Sequence, residues 1–217
     1  MKKIVIFGAG GLGRETITLI NYGINYYSKK YELLGFVVEE KYYQPNTIIN
    51  GYPVLGTTQW LIDHRDDVCC TIAIGDYSYE RERIFKMLDE NGVELETLIC
   101  GDAFVPPTCK IGKGCYIGTG VVFSVNSVIG DGVFINSQCM FGHDVKIGEF
   151  CTFYPRATIS GNCTIGRHAK IGGGSYIVPK RKIGDDAVVA SGSVVFTNVR
   201  AGTTVIGNPA RRMKEIE

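Results

Sequence analysis

The second half of this chain repeats every six residues, and that repeat constrains the fold more than any other feature of its 217 residues. Counting in sixes from Val105 reaches Ile111, Ile117, Phe123, Ile129, Ile135, Phe141, Ile147, Phe153, Ile159, Ile165, Ile171, Ile177, Ile183, Val189 and Val195. All sixteen are β-branched aliphatics or Phe, and Gly follows eight of them. Four residues after each apolar position the side chain is small or aliphatic, from Cys109 to Val199, with Arg181 the one exception. A short strand followed by a turn suits this pattern. The large residue faces a shared core, the small one fits near a corner, and Gly permits backbone geometry that a Cβ would oppose. One unit cannot bury its own apolar face, so units must stack. Three hexads make one triangular coil, and residues 18 apart lie one above the other. The expected fold of this half is an all-β parallel β-helix of a little over five coils, roughly 25 Å long at ~4.8 Å per coil.

The repeat also accounts for most of the cysteines. Five of the eight, Cys109, Cys115, Cys139, Cys151 and Cys163, fill the small slot, where a free thiol acts as a small buried hydrophobe. Cys69 and Cys70 are adjacent in an apolar run and offer no zinc knuckle. At the start, only Ile4–Phe7 is apolar before Gly8, too short for the ~7–15-residue core of a secretory signal. No apolar run approaches the ~20 residues of a membrane span. The expectation is a cytoplasmic protein with reduced thiols.

A net charge of +1 suggests neither nucleic acid nor a membrane surface as partner. The charge is uneven, however. Residues 1–103 hold 10 basic against 15 acidic residues, and residues 104–217 hold 13 against 7. The excess lies after residue 150, with 10 basic and 4 acidic residues. Two readings stand: a solvated surface, or a site for a small polyanion near the C-terminal end. The split also proposes a domain boundary near Asp102.

The first half reads as an α/β nucleotide-binding fold. A buried strand at 2–7 runs into Gly8-Ala9-Gly10-Gly11-Leu12-Gly13, followed by a helical stretch from Arg14 to about Tyr22. Glycines between a strand and a helix let the backbone approach a phosphate at the helix N-terminus. A second strand, Leu33 to Val38, ends at Glu39-Glu40, and a third, Val68 to Ile74, ends at Gly75-Asp76. A further helix carries Ile84, Met87 and Leu88 on one face. This order predicts a parallel sheet with helices on both sides. Glu39 lies 26 residues past Gly13, beyond the usual ~20, and about 100 residues is short for a full dinucleotide fold. Half such a site, for a nucleotide attached to something else, fits better than NAD. A purely structural role for the glycines is the alternative.

The hexads and the ending Val205-Ile206-Gly207-Asn208-Pro209-Ala210-Arg211 resemble the left-handed β-helix acyltransferases. The start IVIFGAGGLGRE, Gly51-Tyr52-Pro53-Val54-Leu55-Gly56 and Ala73-Ile74-Gly75-Asp76 narrow the resemblance to the NeuD/PglD-type sugar O- and N-acetyltransferases, across the whole chain. The resemblance implies left-handed coiling, a homotrimer with active sites between adjacent prisms, and a nucleotide-sugar substrate held by the N-terminal domain. It also implies acetyl-CoA as cosubstrate on the β-helix. The domains expected are 1–103, Rossmann-like and nucleotide-sugar-binding; 104–199, the β-helix; and 200–217, a tail contributing to the CoA site.

Acetyl transfer needs a group to take the nucleophile's proton and a donor for the thioester oxygen as it becomes anionic. There are three histidines. His64 falls at a surface helix end, and His168 follows Arg167 at a repeat turn and reads as solvated. His143 sits in Phe141-Gly142-His143-Asp144 inside the unbroken repeat. The resemblance assigns it the role of general base, Asp144 the role of orienting carboxylate, and Gly161 that of oxyanion donor. Gly161 is also 18 residues past His143, one coil above. Asp144, the next residue along, reaches the imidazole only if the chain turns there.

By family position Gly10, Gly11, Leu12, Glu39, Glu40 and Gly75 map to the nucleotide sugar. Thr152, Gly173, Ser191 and Arg211 map to acyl-CoA. Thr152 stands where many relatives carry a second His, and Arg156 stands where they carry Gly. Lys180-Arg181-Lys182 and Arg211-Arg212 either meet the CoA phosphates or are solvated surface. No metal is expected: a metal-dependent β-helix hydratase needs converging histidines, and His143 and His168 are 25 apart, not a multiple of 18. The activity implied is N-acetylation of a nucleotide-linked aminodideoxy sugar in bacterial polysaccharide assembly. O-acetylation of sialic acid or another sugar hydroxyl is the alternative.

Overall fold

A computed structural model describes residues 1–23 and 30–213. It divides into two compact units, Met1–Asp102 and Ala103–Glu217. The last four residues of the expected tail, 214–217, and the charges they carry lie outside the described residues.

The first unit contains β1 (Lys2–Phe7), α1 (Gly11–Thr18), β2 (Tyr31–Val38), β3 (Ile48–Ile49), β4 (Tyr52–Thr57), α2 (Thr58–Asp63), β5 (Cys69–Ile72), α3 (Ser78–Glu90) and β6 (Glu94–Leu95). The sheet order is β3-β4-β2-β1-β5-β6. Every neighbouring pair is parallel except β3–β4. β1 is central because Ile4, Val5, Ile6 and Phe7 are apolar toward both faces, and all four are buried. With β2 on one side of β1 and β5 on the other, the strand order reverses there. In open α/β sheets a ligand crevice forms beyond the carboxyl ends of strands at such a point.

Two details differ from the periodicity. α1 begins at Gly11 and gives way after Thr18 to a π-helical turn, Leu19–Gly23. The β3–β4 hairpin and α2 are too short to show a period, and Pro53 interrupts the run just before β4 pairs with β2 from Val54 on.

In the second unit the hexads from Lys110 to Val195 form two-residue strands that pair in parallel at 18-residue spacing. One stack of partners runs Phe123, Phe141, Ile159, Ile177, Val195, and two further stacks complete a three-sided coil. The apolar residues from Ile117 to Val195 fill the interior and are all buried. Burying one such side chain contributes ~1.5–3 kcal/mol. Phe123 and Phe141 stack with centroids 4.5 Å apart, and Phe153 meets Phe141 edge-on at 5.1 Å.

The structure corrects the reason for the repeat's glycines. At Gly112, Gly130, Gly142, Gly148, Gly166, Gly172 and Gly184 a Cβ would fall under 3.0 Å from a backbone nitrogen of the next coil. These glycines permit close stacking; none of them takes a left-handed conformation. The left-handed residues come two positions later, and most carry side chains: Asn126, Gln138, Asp144, Phe150, Arg156, Asn162, His168, Lys180 and Asp186, with φ from 56° to 63°.

The small slot holds its cysteines as expected. Cys115, Cys139, Cys151 and Cys163 are buried, and each Sγ donates to the carbonyl 15 residues on. Burial pushes the Cys139 thiol up to about 11 and Cys69 to about 12. Val199 departs from its expected slot. It pairs with Ile183, 16 residues back, and Val205 likewise pairs with Val189. The last coil is two residues short, and the Asn198 side chain accepts the Lys182 N–H at 2.9 Å to complete the turn.

Candidate active site

Each hexad ends its strand and then turns a corner. His143 is the second residue after Phe141, and Asp144 the third, at φ 58°. That left-handed step lets two consecutive side chains meet: His143 Nδ1 lies 2.7 Å from Asp144 Oδ2. The imidazole and the carboxylate are 55% and 46% exposed, so the pair faces solvent rather than the core. Hydrogen bonds from His143 and then from Asn126 hold the Asp144 carboxyl below its ordinary range, so it is ionised at neutral pH. An ionised acceptor on Nδ1 places the ring proton there and leaves the Nε2 lone pair open.

Gly161, one coil above, lies against that nitrogen. A Cβ built on Gly161 would sit 2.5 Å from His143 Nε2 and 2.8 Å from Cδ2, so any side chain there would expel the imidazole. The Asn162 N–H donates to His143 O at 2.8 Å and the Ser160 N–H to Ile177 O at 3.0 Å. The Gly161 N–H between them has no acceptor among the described residues. A base nitrogen and an uncommitted backbone donor therefore sit together at one corner, the minimum that acyl transfer requires.

The other positions expected around the acyl donor are spread over the fold. Gly173 stacks at a different corner, over Pro155 and under Ser191: its Cβ would fall 2.9 Å from Pro155 O, and its carbonyl accepts the Gly192 N–H. Ser191 and Arg211 are exposed. Thr152 is fully buried and presents no surface to a ligand in this chain. Arg156 is exposed and its Nε donates to Gln138 Oε1 at 3.0 Å, one coil below.

His168 is not solvated. It is 4% exposed and stacks on Phe150 with centroids 5.6 Å apart, while the Arg167 guanidinium lies over the same ring. His64 does cap the end of α2, half-buried, stacked on Trp60 at 4.1 Å and with Nδ1 2.7 Å from Trp60 O.

In the first unit the glycine run divides by role. Gly8 takes φ 104° in the turn after β1. A Cβ on Gly13 would strike the Gly8 carbonyl, so this glycine allows α1 to pack closely on β1. Gly10 and Gly11 are exposed, and a Cβ on either would meet nothing within 4 Å. Neither is required by packing, so both leave the backbone at the start of α1 open to the surface. Leu12 is half-buried beside them.

Glu39 and Gly75 follow β2 and β5, at the same edge of the sheet. Glu39 is engaged by Arg83, which also pairs with Glu80 at 2.6 Å, and by Lys41 at 3.5 Å. Glu40 is exposed. The sequence reading passed over Arg81. It is 2% exposed and donates to the carbonyls of Ile74, at 2.9 Å, and Gly75, fixing the turn after β5. The available signal was an arginine on the same helical face as Ile84, Phe85 and Leu88.

Residues 3–88 match the family described as the PglD N-terminal domain, and residues 126–161 and 162–197 match the six-repeat bacterial transferase hexapeptide. Three solved structures match nearly the whole chain. PerB from Caulobacter crescentus, solved with CoA and GDP-perosamine, is 25% identical, with TM-score 0.86, and the match covers 99% of this chain and 98% of that one. The acetyltransferase domain of PglB from Neisseria gonorrhoeae FA1090, solved with acetyl coenzyme A, is 29% identical, with TM-score 0.85 and coverage of 98% and 99%. WeeI from Acinetobacter baumannii AYE is 30% identical, with TM-score 0.85 and coverage of 98% and 100%. No curated protein matches the chain. The fold is thus a Rossmann-like α/β domain followed by a left-handed parallel β-helix. The chain belongs to the hexapeptide-repeat transferases, in the branch that carries a PglD N-terminal domain.

Proposed function

We propose that the chain is an acetyl-CoA-dependent N-acetyltransferase acting on the amino group of a nucleotide-linked aminodideoxy sugar, in the assembly of a bacterial polysaccharide. The observation that carries the chemistry is the His143 Nε2 lone pair held against Gly161, with Asp144 on the far side of the ring. The sugar amine attacks the thioester carbonyl as Nε2 takes its proton. Asp144 stabilises the resulting imidazolium, and the Gly161 N–H stabilises the oxyanion. Collapse expels the CoA thiolate, which takes the proton back from His143.

The substrate class is supported by the exposed Gly10 and Gly11 and by the relatives solved with CoA, acetyl-CoA and GDP-perosamine. On this reading Gly10, Gly11, Leu12, Glu39, Glu40 and Gly75 serve the nucleotide sugar, while Gly173, Ser191 and Arg211 line the CoA path. Lys180, Arg181 and Arg212 add positive charge for the CoA phosphates. The enzyme works as a homotrimer in the cytoplasm. Among the described residues no helix is long and apolar enough to cross a membrane.

The test is a panel of nucleotide sugars offered with acetyl-CoA while free thiol release is followed. Turnover with amine-bearing acceptors and none with matched hydroxyl-bearing sugars is expected. The reverse would make the enzyme an O-acetyltransferase.

A further inference from the structure

We infer that Asn126 is a positioning residue for the reaction, holding Asp144, and through it His143, from the coil below. The inference rests on the reading of His143 as the base.

The left-handed turn position at this corner is filled on successive coils by Asn126, Asp144, Asn162 and Lys180, with φ of 61°, 58°, 60° and 63°. Stacking at 18-residue intervals brings their side chains into register. Asn126 Nδ2 donates to Asp144 Oδ1 at 3.2 Å, while Asp144 Oδ2 faces His143 Nδ1 at 2.7 Å. Each carboxylate oxygen thus has its own partner. Asn126 is itself tethered, since its backbone N–H donates to Thr108 Oγ1 at 3.2 Å. A line of hydrogen bonds therefore runs Thr108, Asn126, Asp144, His143 across three coils and ends at the base.

The backbone alone does not call for this choice. Left-handed positions favour Asn and Asp, yet the same turn position elsewhere in this β-helix accepts Phe150, Arg156 and Lys180. The carboxylate needs the tether because it is half exposed. Free to rotate, it would spend part of its time in water with Nδ1 unpaired. The Asn126 amide fixes the carboxylate plane so that Oδ2 stays on the ring. From the coil above, the Asn162 amide lies 3.4 Å from the same Nδ1. With Nδ1 protonated it can serve the ring only with its oxygen turned inward. The charged residues that share this corner's column or the strand next to it are Asp144 itself, Lys146 on the following strand, and Lys180, one coil above Asn162.

The test compares Asn126→Ala and Asn126→Asp with wild type and His143→Ala. One readout is turnover of the acceptor that the nucleotide-sugar panel identifies. The other is the pH titration of the imidazole resonances by NMR, tractable because the chain has three histidines. Asn126→Ala should lower kcat about tenfold, as expected for losing one hydrogen bond to a charged group, with KM unchanged for both substrates. Its His143 resonance, assigned by its loss in His143→Ala, should titrate at lower pH than in wild type, because the carboxylate no longer stays on the ring. Asn126→Asp keeps the shape and adds a negative charge, so its midpoint should move the opposite way, to higher pH. Wild-type kcat in Asn126→Ala overturns the inference. So does a lower kcat in Asn126→Ala whose His143 midpoint stays at the wild-type value, which would make Asn126 merely structural, the Asn126→Asp midpoint serving as the check that a charge at this position is felt by the ring. If His143→Ala is fully active, the base reading itself fails. If His143→Ala is inactive while Asn126→Ala behaves as wild type, only the inference about Asn126 fails.

Discussion

His143 and His168 stand at two corners of one β-helix, one place apart in the hexad, and on the proposed mechanism that one place separates chemistry from packing. His143 occupies the second position after its strand residue. There its ring lies against Gly161 of the coil above and is more than half exposed. His168 occupies the third, left-handed position, and its ring stacks on Phe150, which in turn lies over Gly132. Both columns contain a glycine that makes room for a ring. At Gly161 the room holds an exposed imidazole beside a backbone N–H with no acceptor among the described residues, the pair to which the proposal gives the base and the oxyanion donor. At Gly132 it serves a filled aromatic stack. A histidine in a repeat protein is therefore read by its place in the repeat and by what lies one coil away, not by its presence.

The contrast can be broken by substitution at each column, beginning with the glycine against the proposed base. Gly161→Val places carbon where the imidazole lies, so it removes the base from its seat and crowds the oxyanion donor. A loss in kcat of at least ~10³ is expected, since the donor alone is worth about 10²–10³. Circular dichroism and the melting curve should show the β-helix intact. Near-normal turnover would remove Gly161 from the site.

Asp144→Asn is milder. The ring keeps a hydrogen-bonding neighbour but loses the charge, and kcat should fall roughly tenfold. The native Asp144 carboxyl is held below its ordinary range, so its negative charge is present throughout the neutral range and lost only on strong acidification. Removing that charge disfavours the imidazolium, so the acid limb of the rate profile should move to lower pH. A limb that stays in place, measured at saturating substrate, would mean that Asp144 does not act on the base.

His168→Ala should do least to activity and most to stability. Turnover within about threefold of wild type is expected. Truncating a buried ring costs about 2 kcal/mol or more, or roughly 4–8 °C in Tm for a chain of this size. A large loss of kcat at an unchanged Tm would reverse the assignment of the two corners.

Most of this was legible because the repeat turns sequence distance into spatial distance. The stacking of Phe123 with Phe141, the buried small-slot cysteines and the seat of His143 against Gly161 all follow from the repeat and its 18-residue coil. Counting failed where the repeat loses two residues after Val195, so Val199 was placed in the wrong slot. It also gave the glycines the wrong reason, because a six-residue period does not say which position bends and which is crowded. The solvated reading of His168 failed for the same cause: a left-handed corner position can turn a long side chain back onto its neighbour below. In the α/β unit there is no such ruler. There the glycine run was legible as a motif, but the division between Gly13, which packs, and Gly10 and Gly11, which do not, required three dimensions. So did the buried Arg81 and the ion pairs that engage Glu39.

The most direct measurement is the rate of acetyl transfer at saturating substrates for wild type, His143→Ala and His168→Ala side by side. General-base catalysis of this kind is worth about 10²–10⁴ in kcat. His143→Ala should lose that much while acetyl-CoA and nucleotide sugar still bind, and His168→Ala should stay near wild type. Wild-type turnover in His143→Ala would contradict the mechanism outright.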